Sequence, residues 1–189
     1  MKKHTKNSKH ESMATAYHEA GHAFADWKFG FKVKRATIVP KHDAAGSVRT
    51  KTGLHFRSLE YSNPSGARIG RLHEHIVSLF AGQAAQRRFC PGGVRAIHAS
   101  RDRQSAFDLL TRLHSTKEIP HVWRYLEAKA RNLIENQMHW RVIRHLAQSL
   151  LKHQTMTGAQ VEAAIRKGYE LDFQSRLSKK SKVRKDHAS

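Results

Sequence analysis

In the stretch AYHEAGHAFADWKFG, Ala16 to Gly30, the residues His18, Glu19 and His22 stand in the order His-Glu-x-x-His. On a helix, residues four apart lie on one face, one turn from each other. His18 and His22 can therefore offer two imidazole nitrogens to one ion at about 2.0–2.1 Å, the usual zinc–nitrogen distance. Glu19 is turned by about 100° from His18, which puts its carboxylate beside such an ion and not on it. There it can take a proton from a water held by the metal. Zinc lowers the pKa of that water to about 7 and polarises a carbonyl, so the chemistry indicated is hydrolysis. The chain holds 15 histidines and 9 glutamates among 189 residues. Random placement of that many gives roughly 0.06 such motifs, so coincidence explains the motif poorly.

A catalytic zinc takes a third protein ligand and keeps one position open. His73 and His75 in the run His-Glu-His are poor candidates, because residues two apart point to different sides of a helix. Asp102 is better. It follows His98-Ala99-Ser100 where a helix is expected to begin, and a carboxylate on a first turn can be held rigidly. His98 competes with it, since imidazole is a common zinc ligand. Spacing alone leaves both standing. His139, His145 and His153 lie on helical stretches and read as surface or supporting groups.

The elements that must position these groups can be read from periodicity and breakers. A first helix is expected from about Ser12, a capping residue, to Phe29, with Gly30 as its stop. Gly21 is a poor choice within it, about 1 kcal/mol worse than alanine, and implies that something packs closely there. Ala36–Val39 and Ser47–Thr50 are short β-favouring runs around a polar turn and predict one small hairpin. Pro40 suits the end of an edge strand. Apolar residues from Ile69 to Ala84 recur at helical spacing over about Ser65–Phe89, and Cys-Pro-Gly-Gly ends that helix. Further helices are expected from Ser100 through Leu113, over His121–Met138 and over Trp140–His153. Thr157 and Gln160 form a capping box for a last helix ending near Leu171. Trp27, Trp123 and Trp140 read as core or interface aromatics. The expected fold is mainly α, α+β at most, with one small β-hairpin.

Length and composition fit one domain over residues 12–171, between a basic disordered arm at 1–11 and a basic disordered tail at 172–189. The formal charge is +20. The first twelve residues contribute +3 and the tail from Asp172 +4, so +13 of it lies on the body. Such a surface suits acidic substrates or weak non-specific polyanion binding. One cysteine, Cys90, excludes an intramolecular disulfide and a cysteine-rich zinc finger. No apolar run approaches the roughly 18 residues of a membrane span, and the start has no apolar stretch of the signal-peptide kind. The expectation is a soluble, cytoplasmic protein.

Five blocks, AYHEAGHAFADW, RATIVPKHDAAGSVRT, HIVSLFAGQAAQRRF, HASRDRQSAFDLL and LAQSLLKHQTMTGAQVEAAI, occur in an order that resembles the peptidase domain of the FtsH-type, membrane-anchored AAA+ zinc proteases, peptidase family M41. The resemblance covers about Ala14 to Ile165, and its first block is the most specific. It implies a helical zinc-metallopeptidase fold, Zn2+ as cofactor, His18, His22 and Asp102 as ligands, and Glu19 as the catalytic glutamate. This chain departs from the family at His98, where glycine is usual, and at Arg101, where asparagine is usual. Gln86 and Arg87 replace a usual pair of acids, removing negative charge near the core. It also lacks the P-loop pattern G-x-x-x-x-G-K-[ST], so it resembles the peptidase part alone.

The function implied is a zinc metalloendopeptidase acting on unfolded or extended polypeptides without an ATPase of its own. A separate ATPase or adaptor could deliver them, and an oligomer fits the family. The strand near Ala36–Val39 is the expected place for substrate to pair by main-chain hydrogen bonds. The competing readings are a basic nucleic-acid-associated protein and a peptide-binding protein, each with a structural or vestigial metal site. Intact Glu19 weighs against a dead site.

Overall fold

The motif sits in the second half of a long helix, α1 (Lys2–Lys28), which turns through Gly30 into the first strand. The chain continues through β1 (Lys32–Thr37), β2 (Ser47–Lys51), α2 (Gly66–Phe89), α3 (Ala96–Leu113), α4 (Ile119–Glu135), α5 (Gln137–His153), β3 (Thr155–Thr157) and α6 (Gly158–Asp186). In this computed structural model the backbone is described for residues 2–40, 45–53, 64–91 and 96–186, and side chains for 10–40, 45–53, 64–91 and 100–178. Mainly α with a small sheet is thus the architecture, as the periodicity predicts. Among the described residues no helix is long and apolar enough to cross a membrane.

The helices form where sequence signals place them, with shifted ends: α4 stops at Glu135, so Met138, expected at its end, lies in α5. Ser65 caps α2 through its hydroxyl, and Asn136 caps α5 by accepting from the amides of Met138 and His139. Thr157 and Gln160 satisfy each other's amides at the start of α6, at 2.8 and 3.3 Å. By contrast, α1 begins at Lys2 and not at Ser12, and α6 ends at Asp186 and not near Leu171. Neither extension contains a glycine or proline, and both are rich in lysine, a good helix former. Likewise α3 starts at Ala96, so Asp102 lies in its second turn and not its first.

The sheet has three antiparallel strands in the order β2-β1-β3. A hairpin forms where one is expected, but β1 runs over Lys32–Thr37 and not Ala36–Val39, so Ile38 and Val39 lie beyond its end. The third strand is not expected from sequence. A three-residue run has no periodicity to read, and it joins β1 because Gln154, at φ +58°, turns the chain back after α5. This corrects two expectations. β1 is the central strand, so it is not an edge that Pro40 ends, and Ala36 and Thr37, paired on both sides, offer no open edge to a substrate strand. Among the described residues, the outer edge of β2 is the one left unpaired beside the motif.

Two apolar clusters hold these elements. One joins α1, α5, α6 and the sheet through Phe24, Ile143, Leu146, Leu150, Met156 and Ile165. The other joins α2, α3 and α4 through Leu72, Ile76, Leu110 and Leu126. Trp27 and Trp140 pack against the first and Trp123 against the second. The closeness implied by Gly21 is present. A Cβ there would lie 2.6 Å from the Ala81 carbonyl oxygen and 2.8 Å from Ala85 Cβ. α1 therefore crosses α2 almost backbone to backbone, which sets the motif against α2.

Candidate metal centre

His18 and His22 project from one face of α1, as the four-residue spacing requires, and Asp102 reaches them from α3. Asp102 Oδ2 lies 3.2 Å from His18 Nε2 and 3.1 Å from His22 Nε2, and the two Nε2 atoms are 3.0 Å apart. The imidazole planes are nearly perpendicular, at 83°. Among the described residues this is the one group of three or more His, Cys, Asp or Glu side chains that could hold a metal ion. Four ligands at about 2.0–2.1 Å in a tetrahedron stand about 3.3–3.4 Å apart. The observed triangle is within a few tenths of an ångström of one face of that tetrahedron. His98, the competing ligand, lies on the first turn of α3, and its side chain is outside the described residues.

The other ring nitrogens are already committed. His22 Nδ1 donates to the Ser78 carbonyl at 2.8 Å, and His18 Nδ1 donates to Gln86 Oε1 at 3.1 Å. A proton on each Nδ1 leaves each Nε2 with a lone pair directed at the other and at a carboxylate oxygen. Such outer contacts are what orients metal-binding histidines. Three acceptors facing one another repel unless something positive stands among them.

The protonation behaviour carries the same message. Burial works to lower the His22 pKa. The Asp102 charge and hydrogen bond, the Glu19 charge and the Ser78 carbonyl outweigh it and raise the group to about 10. Burial works to raise Asp102, but the two imidazoles hold it well below the usual carboxylate range. A proton on His22 answers Asp102 alone. A cation at the centre satisfies all three donors together.

Glu19 is 3% exposed and lies in the same cleft of about 410 Å³, bordered by α1, β2, Ser78 and Leu79 of α2 and the start of α3. Burial raises its carboxyl to about 7, with His22 pulling it down and Asp102 pushing it up. Its Oε2 has no hydrogen-bond partner among the described residues. Its other side is closely fitted, since a Cβ on Gly46 would stand 2.6 Å from Oε1. A buried carboxyl with a free oxygen and a near-neutral pKa is equipped to accept and return a proton.

Four supporting residues of the centre are not singled out as such by sequence. Gly82 faces the His22 ring so closely that a Cβ would overlap it. Ser78 supplies the carbonyl for His22, and its hydroxyl donates to Asp26 Oδ1 at 2.6 Å. Asp26 is buried and also accepts from Thr50 Oγ1 at 2.5 Å, which ties β2 to α1. The His18, His22, Asp26 spacing of i, i+4, i+8 is a signal that could have found it. Gln86, noted in the sequence only as a lost acid, is the buried acceptor that orients His18, while Arg87 beside it is exposed.

The remaining sequence candidates separate as expected. His73 meets His114 with 2.9 Å between Nε2 atoms, and His75 turns instead toward Phe31 and the cleft. His139 donates to the Leu133 carbonyl. No protein-family model matches the chain, and no curated protein matches it.

Proposed function

We propose that this protein is a zinc-dependent endopeptidase that cleaves extended or unfolded polypeptides. One observation carries the reading: two Nε2 atoms and one carboxylate oxygen converge within 3.2 Å of one another, each imidazole having its other nitrogen committed. The His-Glu-x-x-His order and the resemblance to the M41 peptidases support the same assignment, with His18, His22 and Asp102 as ligands. Two nitrogens and one oxygen suit zinc, which accepts histidine and carboxylate ligands together and leaves a fourth position for chemistry.

Zinc, when bound, supplies Lewis acidity that polarises the scissile carbonyl and makes water acidic enough to deprotonate near neutral pH. The chain's own residues do the rest. Glu19 takes that proton on its free oxygen and passes it to the departing amine, in keeping with its pKa near 7. Gly46 holds the carboxyl in place from the β2 side, and Asp26 fixes β2 against α1 through Thr50. The outer edge of β2 runs beside the cleft, and an extended chain can pair along it by main-chain hydrogen bonds. A folded substrate offers no such strand, hence the preference for extended polypeptides. A separate ATPase or adaptor is a compatible partner.

The test is cleavage of casein with and without chelator. Glu19→Gln should keep about one zinc per chain and lose cleavage. Asp102→Ala should lose zinc, and His98→Ala should keep it. Equal casein cleavage by Glu19→Gln and the parent would sink the catalytic assignment. Zinc retained in Asp102→Ala but lost in His98→Ala would move the third ligand to His98.

A further inference from the structure

The β1–β2 hairpin carries an unusual arrangement of charge. Lys32 stands directly opposite Lys51, and Arg35 directly opposite Arg49. All four are exposed, as is Lys34 beside them. Like charges in directly opposed positions destabilise a strand pair. Neither strand contains a carboxylate, and among the described residues none of these five cations has an ion pair. The hairpin therefore presents a concentrated positive face that the described structure leaves uncompensated.

The position of this face relative to the cleft gives it meaning. Side chains alternate along a strand. From β2 and its flanks, Ser47 at the strand's start and then Val48, Thr50 and Thr52 line the cleft that holds Glu19, whereas Arg49 and Lys51 do not, and alternation from Val48 and Thr50 puts them on the opposite face. A chain paired with the outer edge of β2 would alternate in the same way. One set of its side chains would point with Val48 and Thr50 toward the cleft. The other set would come directly opposite Arg49 and Lys51, at the roughly 5 Å of cross-strand neighbours.

We propose that β2 selects extended polypeptides carrying acidic residues two positions apart, with Arg49 and Lys51 as the groups that read them, an inference that rests on the peptidase reading of the cleft. Two carboxylates at that spacing meet both cations at once and relieve the repulsion from Lys32 and Arg35. The spacing holds for either strand direction. The occupant is a polypeptide and not single-stranded nucleic acid, because the hairpin strands carry no aromatic side chain on which bases could stack.

The test uses zinc-loaded Glu19→Gln protein and short fluorescent peptides that share one apolar centre, followed by anisotropy at low and moderate salt. The flanks are Glu-x-Glu, Glu-x-x-Glu, Ser-x-Ser or Lys-x-Lys. The Glu-x-Glu peptide should bind about tenfold tighter than Ser-x-Ser, as two favourable cross-strand charge pairs would give. Glu-x-x-Glu has the same charge on the wrong faces and should lose most of that advantage. Arg49→Glu with Lys51→Glu should transfer the preference to Lys-x-Lys. Lys117→Glu with Lys129→Glu, an equal change of charge at exposed positions that do not line the cleft, should leave the ranking in place. Equal binding of the two acidic spacings would overturn the inference, since steering by net charge would then suffice. So would a ranking that survives reversal at Arg49 and Lys51. A single-stranded oligonucleotide that outcompetes Glu-x-Glu, and loses its affinity in the Arg49/Lys51 variant, would also overturn it and give the face to nucleic acid. The same peptides offered to the parent enzyme separate the two readings. Cleavage without a spacing preference leaves the peptidase standing and removes the selection. Spacing-selective binding without cleavage does the reverse.

Discussion

At the residue scale, the centre depends as much on what is missing as on what is present. Gly82 has no side chain where the His22 ring lies, and any Cβ would overlap that ring. Alanine is otherwise about 1 kcal/mol better than glycine inside a helix. The two effects can be separated, because an imidazole can swing aside where a backbone cannot. Gly82→Ala should therefore keep the metal-free fold near or above parental stability while weakening zinc binding by about 10- to 100-fold, the usual effect of disturbing a ligand's surroundings. Zinc titration against a competing chelator, together with thermal melting of the chelated protein, reads both halves. Parental zinc affinity in Gly82→Ala would show that the His22 ring is not where the centre needs it. This scale also shows what sequence can and cannot carry. His18, Glu19 and His22 are legible because the helix repeat brings neighbours four apart together. Asp102 is eighty-four residues from His18, and spacing alone leaves it level with His98; only the resemblance to the M41 peptidases favours it. Ser78 and Gly82 leave no local signal, and Gln86 shows only as a lost acid, since their roles exist only once α2 lies across α1.

The crossing of those two helices dominates the element scale. Gly21 allows α1 to meet α2 where Ala81 contributes a carbonyl oxygen and Ala85 a methyl group. The same substitution type that is tolerable at Gly82 is not tolerable here, because the obstacle is backbone. Gly21→Ala should destabilise the protein by about 1–3 kcal/mol, the usual cost of overpacking, despite the better helix propensity of alanine. The measurement is urea unfolding of metal-free protein followed by circular dichroism, and a neutral or stabilising result would mean that the helices separate freely. Gly21 is the one place where an element-level contact is legible in advance, as an out-of-place glycine. Helix positions are similarly legible through caps and breakers. The sheet is only half legible: the hairpin strands are long enough to show β character, whereas Thr155–Thr157 is recruited by the turn at Gln154. That third strand makes β1 central and, among the described residues, leaves β2 as the open edge beside the motif, which the sequence does not reveal.

On the scale of the whole molecule, the donor triangle adds a tie between α1 and α3, which sit on either side of α2. α3 packs on α2 and α4 within the second apolar cluster, and Asp102 ties it to the motif helix of the first. Without a metal, a proton on His22 answers Asp102 alone, whereas a bound cation engages all three ligands, so metal binding and the docking of α3 should be linked. Ligand binding to the folded state alone stabilises by about 2.7 kcal/mol when free ligand is a hundred times its dissociation constant. For a chain of this size each kcal/mol moves the melting temperature by about 2–4 °C. Zinc at that excess should therefore raise the melting temperature by about 5–10 °C, and chelator should reverse the rise. Hydrogen exchange should localise the effect: amides of α3 around Asp102 should gain protection with zinc, while those in the middle of α5, buried in the first cluster through Val142, Ile143 and Leu146, should change little. His18→Ala should remove both the shift and the protection. An unchanged melting temperature, or protection spread evenly over α3 and α5, would mean that the three donors do not meet at a common ion. A rise confined to the α1–α3 junction would show that the cation which completes the site also fixes α3 against the motif helix.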